Sequence, residues 1–323
     1  MAPLILSILI SLFFNLSFAT ENCQVAFEAV LEKSVDNVTK KIIQEEKIVK
    51  ELENSKWWGE IRKKNEIAEL RRPVSEESRL LQEEVKHINL QEKSTGSKKI
   101  DDMINSSSSS LRETRSIEEL TKEWGEMASQ GSWAPTPKDP NKLRQWRKEA
   151  TLFAQTKASK ARETGENIID EDFIKTVYGK MMGEGPKPMS YRTHQPITGG
   201  KTISGGQKIF EYMPPKEVGP AMKEFVQELQ HRIDLKRDPI DTAIWIERTL
   251  VSIHPFADGN GRMTREIAAS YLHSQGLPRP LFLKGEEHSF AILPDPEFPM
   301  QTYEEIRKIY IEGIKRHIKL LKE

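Results

Sequence analysis

The twelve residues His254–Arg265, HPFADGNGRMTR, hold the side chains of this sequence that are best suited to chemistry. An apolar run with helical character precedes them, and Pro255 takes the chain out of that helix. Gly259 and Gly261 flank Asn260, so the backbone can turn its amides inward before a second helix begins. A helix N-terminus with unpaired N–H groups attracts anions. The segment therefore predicts a phosphate-binding turn.

Side chains of the same segment supply what attack on a phosphate requires. Histidine titrates near neutral pH, so His254 can take a proton from an attacking hydroxyl. Asp258 is a hard oxygen ligand suited to Mg²⁺ carried on a nucleotide phosphate. Arg262 and Arg265 are three residues apart and would face phosphate oxygens from one side of a helix. Each residue alone is more often structural, but their joint occurrence in this order predicts nucleotide chemistry with an alcohol as the attacking group.

The segment resembles the motif of the Fic family: His, any residue, Phe, any residue, Asp or Glu, Gly-Asn-Gly-Arg, two of any residue, Arg. Every fixed position is filled. The resemblance extends over about Leu111–Glu323, where Ser190-Tyr191-Arg192 resembles the start of the family's flap and Met213-Pro214-Pro215 resembles its end. It implies an all-α Fic domain with a β-hairpin flap. Such a domain typically moves AMP from Mg·ATP to a Ser, Thr or Tyr hydroxyl of a target protein, and self-modification is a further possibility.

The resemblance also implies a role for each matching residue. His254 would be the base, Asp258 the Mg²⁺ ligand, and Arg265 the ligand of the γ-phosphate. The α- and β-phosphates would be held by the residues of the turn, Gly259, Asn260, Gly261 and Arg262. The flap Gln207–Met213 would hold the target segment as an added strand.

A second segment resembles the inhibitory helix of many Fic proteins. Thr114 and Glu118 are four residues apart and lie on one helical face, N-terminal to the catalytic core as in one family subclass. Glu119 stands where the family usually has Gly or Asn. The resemblance predicts autoinhibition, and the alternative is an ordinary solvent-facing helix.

The N-terminus predicts export. Leu4–Phe18 is mostly apolar and is followed by small residues around a cleavage site after Ala19. A cleaved signal peptide over residues 1–19 and a secreted or exported protein are therefore expected, with an uncleaved anchor or a buried helix as alternatives. The single cysteine, Cys23, excludes an intramolecular disulfide and a cysteine-based zinc site.

Three further regions follow. Residues 20–92 carry an apolar stripe at helical spacing and predict a helical N-terminal region, interrupted at Trp57-Trp58-Gly59 and resuming at Pro73, through which the chain could oligomerise. Residues 93–110, with five serines at their end, predict a linker to the domain 111–323. In that domain we predict a β-hairpin at Lys201–Met213. Helices are expected at Lys142–Arg162, Asp170–Met182, Pro220–Leu235, Ile240–Ile253, Gly261–Gln275 and Tyr303–Leu321.

Composition and one rival motif exclude some classes of function. The chain of 323 residues has 49 Lys and Arg and 49 Asp and Glu, so its net charge does not favour binding to nucleic acid. Gly200-Lys201-Thr202 imitates the end of a P-loop, but Gln195 occupies the position of the first glycine. Two alternatives stay open: a Fic-fold enzyme that uses another nucleotide donor or removes AMP, and a non-enzymatic scaffold.

Overall fold

The computed structural model describes residues 55–65, 73–86, 88, 140–184, 189–193, 197–201, 207–283 and 301–322. Contacts divide the chain into two compact units, Met1–Glu53 and Asn54–Glu323. All of the described residues belong to the second unit. The predicted signal peptide, the linker 93–110 and the Thr114–Glu118 segment lie outside the described residues, as does most of the N-terminal region 20–92.

Helices dominate the described part of the chain, so the predicted all-α class is confirmed. The elements, in chain order, are α1 (Lys56–Asn65), α2 (Glu76–Val85), α3 (Pro140–Thr164), α4 (Glu171–Met182), β1 (Ile197–Lys201), β2 (Gln207–Glu211), α5 (Pro215–Asp234), α6 (Pro239–Ile253), α7 (Asn260–Ser274) and α8 (Tyr303–Lys322). Among these described elements, no helix is both long and apolar enough to cross a bilayer.

The strands β1 and β2 form an antiparallel hairpin in which Ile197 pairs with Glu211 and Lys201 pairs with Gln207. The prediction placed the hairpin at Lys201–Met213, so the first strand lies earlier than expected. In an antiparallel hairpin each residue of one strand needs a partner at an equal distance from the turn. A second strand that ends at Glu211 therefore requires a first strand that reaches back to Ile197.

The central helix of the fold is α6, which contacts α5, α7, α8 and α1. Every residue of α6 except Val251 is buried. Asp238 caps its start by accepting hydrogen bonds from the backbone N–H groups of Ile240 and Asp241, at 3.0 and 3.1 Å. A helix that is buried on all sides belongs in the core. Its C-terminal end, where the candidate base lies, is therefore held by packing from several directions.

Helix α1 corrects the predicted interruption at Trp57-Trp58-Gly59, which lies inside this helix. Ser55 starts the helix, because its hydroxyl accepts from the Trp58 N–H at 3.1 Å and its carbonyl accepts from the Gly59 N–H at 2.9 Å. Trp58 is only 3% exposed. Burying such a ring stabilises the helix by more than the roughly 1 kcal/mol that a glycine costs in a helix interior.

Helix α2 and the residue before it are bonded to the C-terminal helices. The Ser75 N–H donates to Asp238 at 2.8 Å, and Arg307 of α8 pairs with Glu77 at 2.6 Å. The predicted linker 93–110 lies outside the described residues and stays a prediction. The described part of the N-terminal region carries apolar side chains that need a core to cover them, and α6 and α8 provide it.

Candidate active site

His254 occupies a strained position at the C-terminal end of α6. Its φ is 53° and its ψ is 58°, in the left-handed region, and its N–H donates to the Leu250 carbonyl at 3.0 Å. A residue other than glycine in this region costs about 1–3 kcal/mol unless its surroundings fix it. The strain turns the imidazole away from the helix axis at the point where Pro255 redirects the chain.

Contacts of the imidazole determine which of its nitrogens carries the proton. Nδ1 of His254 lies 3.3 Å from the carbonyl oxygen of Val251, and a carbonyl can only accept. This contact favours the tautomer with the proton on Nδ1, in which Nε2 is an acceptor. The ring of Tyr212, only 9% exposed, stacks on the imidazole with centroids 3.8 Å apart. His254 thus presents Nε2 as a base from a fixed ring.

Arg192 holds the chain around His254. Its Nε donates to the His254 carbonyl at 2.6 Å, and its Nη2 donates to the carbonyls of Ile253 at 3.2 Å and of Met213. Its backbone N–H donates to the Pro255 carbonyl at 3.0 Å. Arg192 is 5% exposed, and this burial lowers the pKa of its guanidinium to about 10. The guanidinium therefore remains protonated at neutral pH and donates hydrogen bonds to main-chain oxygens.

Phe256 anchors the turn in an aromatic stack. Its ring, 1% exposed, lies parallel to Tyr178 of α4 with centroids 3.8 Å apart, and Tyr191 packs against it at 5.7 Å. The hydroxyl of Tyr178 accepts a hydrogen bond from the Asp258 backbone. Burial, with the Asp258 charge adding to it, raises the pKa of Tyr178 to about 12. The stack therefore fixes both ends of the turn against α4.

Asn260 braces the turn from within. Its side-chain oxygen accepts from the Phe256 N–H at 2.9 Å, and its side-chain nitrogen donates to the Phe256 carbonyl at 2.7 Å. The residue is 1% exposed. The structure thus uses the side chain of Asn260 to close the loop. What this residue offers to an anion is its backbone N–H, which has no helical partner at the start of α7.

Asp258 and the first arginine of the motif face each other at the helix start. Arg262 Nη2 lies 3.3 Å from Asp258 Oδ2, and their side chains are 14% and 27% exposed. Gly259 caps α7 with φ 72°, and a Cβ there would lie 3.1 Å from Arg262 Nη2. A glycine is therefore required both by the backbone angle and by the close guanidinium.

Arg265 faces a cleft that α3, α6, α7 and the segment after α7 form together. The polar residues that line the cleft are Arg147, Thr151, Glu247, Arg262, Arg265, Glu266 and Arg279. Arg279 neutralises Glu266 at 2.6 Å, and Glu247 accepts from the Tyr310 hydroxyl. The lining carries four guanidinium groups and two carboxylates next to the N-terminus of α7, a positive balance that suits a polyphosphate.

Asp258 is the carboxylate of the turn that could hold a divalent cation. In the described part of the chain, no group of three or more His, Cys, Asp or Glu side chains is placed to hold a metal. Mg²⁺ is commonly bound by one or two carboxylates together with substrate phosphates. The exposed fraction of Asp258 and its position at the anion site fit a cation that arrives with a nucleotide.

The structure brings the predicted residues of the motif together, from His254 to Arg265. It adds two contacts of His254 that the sequence did not predict, with Arg192 and with Tyr212, the latter expected only as part of the flap Gln207–Met213. Arg192 was noticed only as part of a segment that resembles the start of a flap. Neither residue lies at a spacing from His254 that sequence could interpret, since they are 62 and 42 positions away from it.

Comparisons with known proteins found a matching family model and one similar curated protein. Residues 168–272 match the sequence model described as Fic/DOC family. A Fido domain-containing protein of Dictyostelium discoideum is 38% identical over 89 residues, which cover 27% of this chain and 61% of that protein. The match thus spans less than two thirds of the relative's length.

Several solved structures are also similar. A Fic domain containing signaling protein from Bacteroides thetaiotaomicron shares 17% identity with a TM-score of 0.49, covering 76% of this chain and 97% of the other. Fic-1 from C. elegans shares 16% with a TM-score of 0.46, covering 76% and 69%. IbpAFic2 in complex with adenylylated Cdc42 shares 17% with a TM-score of 0.45, covering 93% and 84%.

Proposed function

We propose that the protein is a protein adenylyltransferase, because residues 168–272 match the Fic/DOC family model and contain the complete His254–Arg265 motif. Its substrates would be ATP and a Ser, Thr or Tyr hydroxyl of a target protein, which includes the protein itself. The observation that carries the proposal is the position of His254, whose ring is held by the Val251 carbonyl and by Tyr212 at the end of α6, six residues before α7 begins.

In the proposed reaction, the hydroxyl oxygen of the target attacks the α-phosphorus of ATP. The new O–P bond forms as the bond to the β-phosphate oxygen breaks, and pyrophosphate leaves. The hydroxyl proton passes to Nε2 of His254. The imidazole stacks on the ring of Tyr212 and is therefore oriented before the target arrives. The backbone amides at the start of α7 and the guanidinium groups of Arg262 and Arg265 stabilise the charge on the phosphates.

Asp258 would hold Mg²⁺ brought in by the nucleotide. The cation would neutralise the charge that develops on the phosphate oxygens. Arg262 and Asp258 lie 3.3 Å apart and are partly exposed, so their ion pair contributes little to stability. Replacing the guanidinium by a cation at Asp258 therefore costs little free energy. The hairpin β1–β2 would take up the target segment as a further strand.

Three further parts of the proposal concern residues outside the described ranges. The Thr114–Glu118 helix would inhibit the enzyme by pairing Glu118 with Arg265. Residues 1–19 would direct export, so that the enzyme acts outside the compartment of its synthesis. The helices of the N-terminal region would allow self-association.

The deciding experiment is transfer of label from α-³²P-ATP, with mass spectrometry to identify the adduct and a panel of other nucleotides run in parallel. We expect an AMP adduct with wild type and none with His254→Ala, while ATP binding by calorimetry stays unchanged. His231→Ala, at an exposed histidine of α5, is the matched control and should retain transfer. All proteins should also be tested with Glu118→Gly, so that inhibition cannot hide the activity.

The outcomes separate the alternatives. Turnover by His254→Ala near that of wild type would refute the assignment of the base. A stronger adduct from another nucleotide would show a different donor. Release of AMP from a modified protein, without transfer, would show the reverse reaction. If no donor gives an adduct and ATP does not bind, the protein is a scaffold.

A further inference from the structure

Arg192 links two regions of the chain that are far apart in sequence. One region is the C-terminal end of α6, Ile253 to Pro255, which carries the base. The other is the hairpin root, which we define as Tyr212 and Met213, directly after β2. A single guanidinium donates to main-chain oxygens of both regions.

The backbone around His254 needs such a link. At the end of a helix the last carbonyls have no helical partner. Here the carbonyls of Ile253, His254 and Pro255 all accept from Arg192. The planar fork of a guanidinium can serve several oxygens at fixed angles, which an ammonium group cannot. The left-handed conformation of His254, costly by itself, is thereby held in place.

The side chain of His254 is held from the same direction. The ring of Tyr212 stacks on the imidazole at 3.8 Å, and the neighbouring carbonyl of Met213 accepts from Arg192. A displacement of the hairpin root would therefore move the stacking ring. A displacement of the helix end would change the contact between Nδ1 and the Val251 carbonyl. Both contacts depend on the same guanidinium.

We propose that Arg192 is a positioning residue for the reaction: it fixes the base by tying the end of α6 to the hairpin root, so that the His254 ring keeps its proton on Nδ1 and its acceptor on Nε2. The inference rests on the proposed function for its kinetic consequence. Its structural consequence, the state of the imidazole, does not depend on which reaction the protein catalyses.

The test compares Arg192→Lys and Arg192→Met with wild type in the full-length chain. Long-range ¹H–¹⁵N spectra of histidine-labelled protein report the tautomer, and His254→Ala identifies the His254 signals among the seven histidines. We expect a single Nδ1-protonated form in wild type and a mixture of tautomers in both variants. In transfer assays, kcat should fall on the order of tenfold to a hundredfold, because small misplacement of a reacting group has effects of that size. KM for ATP should change by less than about twofold, since the bonds of Arg192 to Ile253, His254, Pro255 and Met213 hold the base and not the start of α7.

Arg232→Lys is the matched control. Arg232 is also buried, at 4% exposure, but its partners are Glu228 at 3.1 Å and the ring of Trp245 at 4.4 Å. It should lose stability without a change in the His254 signals or in kcat. If Arg192→Met does not fold, Arg192→Lys and the spectra still decide.

A wild-type tautomer pattern together with a kcat within about twofold of wild type in Arg192→Lys would overturn the proposal. A fall in kcat of equal size in Arg232→Lys would overturn it as well, because the effect would then follow from lost stability. If wild type shows no transfer at all, the proposed function fails, whereas the spectra still confirm or refute the positioning role.

Discussion

The substitution Asn260→Ala tests whether this side chain serves the loop or the ligand. The resemblance to the Fic motif assigns Asn260 to the phosphates, whereas in the structure both of its side-chain atoms bond to the backbone of Phe256, at 2.9 and 2.7 Å. Alanine would leave a buried N–H and a buried carbonyl without partners, since Phe256 is 1% exposed. Each unsatisfied group costs about 1–3 kcal/mol, so the two together cost about 2–6 kcal/mol. The flanking glycines let the loop relax, and we therefore expect the lower half of that range.

The assay is urea unfolding followed by tryptophan fluorescence, with ATP binding measured on the same samples by calorimetry. Asn167→Ala is the matched control, because Asn167 makes the same pair of bonds to the backbone of Ile169, at 3.0 and 3.4 Å. The bonded residues Ile169 and Phe256 are equally buried, but Asn167 is half-buried whereas Asn260 is 1% exposed. Water can therefore enter the space of the deleted Asn167 side chain and replace the lost bonds, and the expected loss is about 0.5–1 kcal/mol.

Two results would decide against this reasoning. One is an Asn260→Ala protein whose free energy of unfolding lies within about 0.5 kcal/mol of wild type while its Kd for ATP rises tenfold or more. The other is an equal loss of stability in Asn167→Ala, which would show that burial of the asparagine side chain does not set the cost.

The remaining predictions concern pH, inhibition and packing. Burial lowers the pKa of His317 from 6.5 to about 4. Between those values the unfolded chain therefore binds more protons, and about 3 kcal/mol of stability, complete above pH 6.5, is lost as the pH falls towards 4. Urea unfolding at pH 7.5 and pH 5 should show a smaller pH dependence in His317→Asn than in wild type, whereas the exposed-site control His231→Asn should keep the wild-type dependence. An unchanged pH dependence in His317→Asn would contradict this. Glu118→Gly should increase auto-modification with saturating Mg·ATP, whereas the double variant with Arg265→Ala should not; equal activity of Glu118→Gly and wild type would show that this helix is not the inhibitor. Phe256→Ala should lower the free energy of unfolding by about 3–5 kcal/mol, because it removes a fully buried ring from the aromatic stack; thermal unfolding within about 2 °C of wild type would contradict it.

Several features of this protein were predictable from local sequence. The helices of residues 140–322 lie within a few residues of their predicted bounds, with α5 as the largest difference. Helix α5 begins at Pro215 and not at the predicted Pro220, because a proline fits the first position of a helix. The turn after His254 and the glycine at position 259 were likewise expected from residue types alone, since both follow from dihedral preferences.

Local sequence predicted one interruption that the structure does not contain. Trp57-Trp58-Gly59 lies inside α1, because α6 contacts this helix and Trp58 is buried. The resemblance assigned Asn260 to the phosphates; that role stays a prediction, and the structure adds that both side-chain atoms of Asn260 bond to the Phe256 backbone.

The sequence by itself determined the chemistry that is possible here. The proposed proton acceptor, the carboxylate and the arginines lie within twelve residues, so they stay close in space however the rest of the chain packs. Tertiary structure alone decided how that chemistry is oriented. Arg192 reaches His254 across 62 positions and Tyr212 reaches it across 42. The free energy of such contacts depends on burial and on distance in space, and neither quantity is encoded in the spacing of residues along the chain.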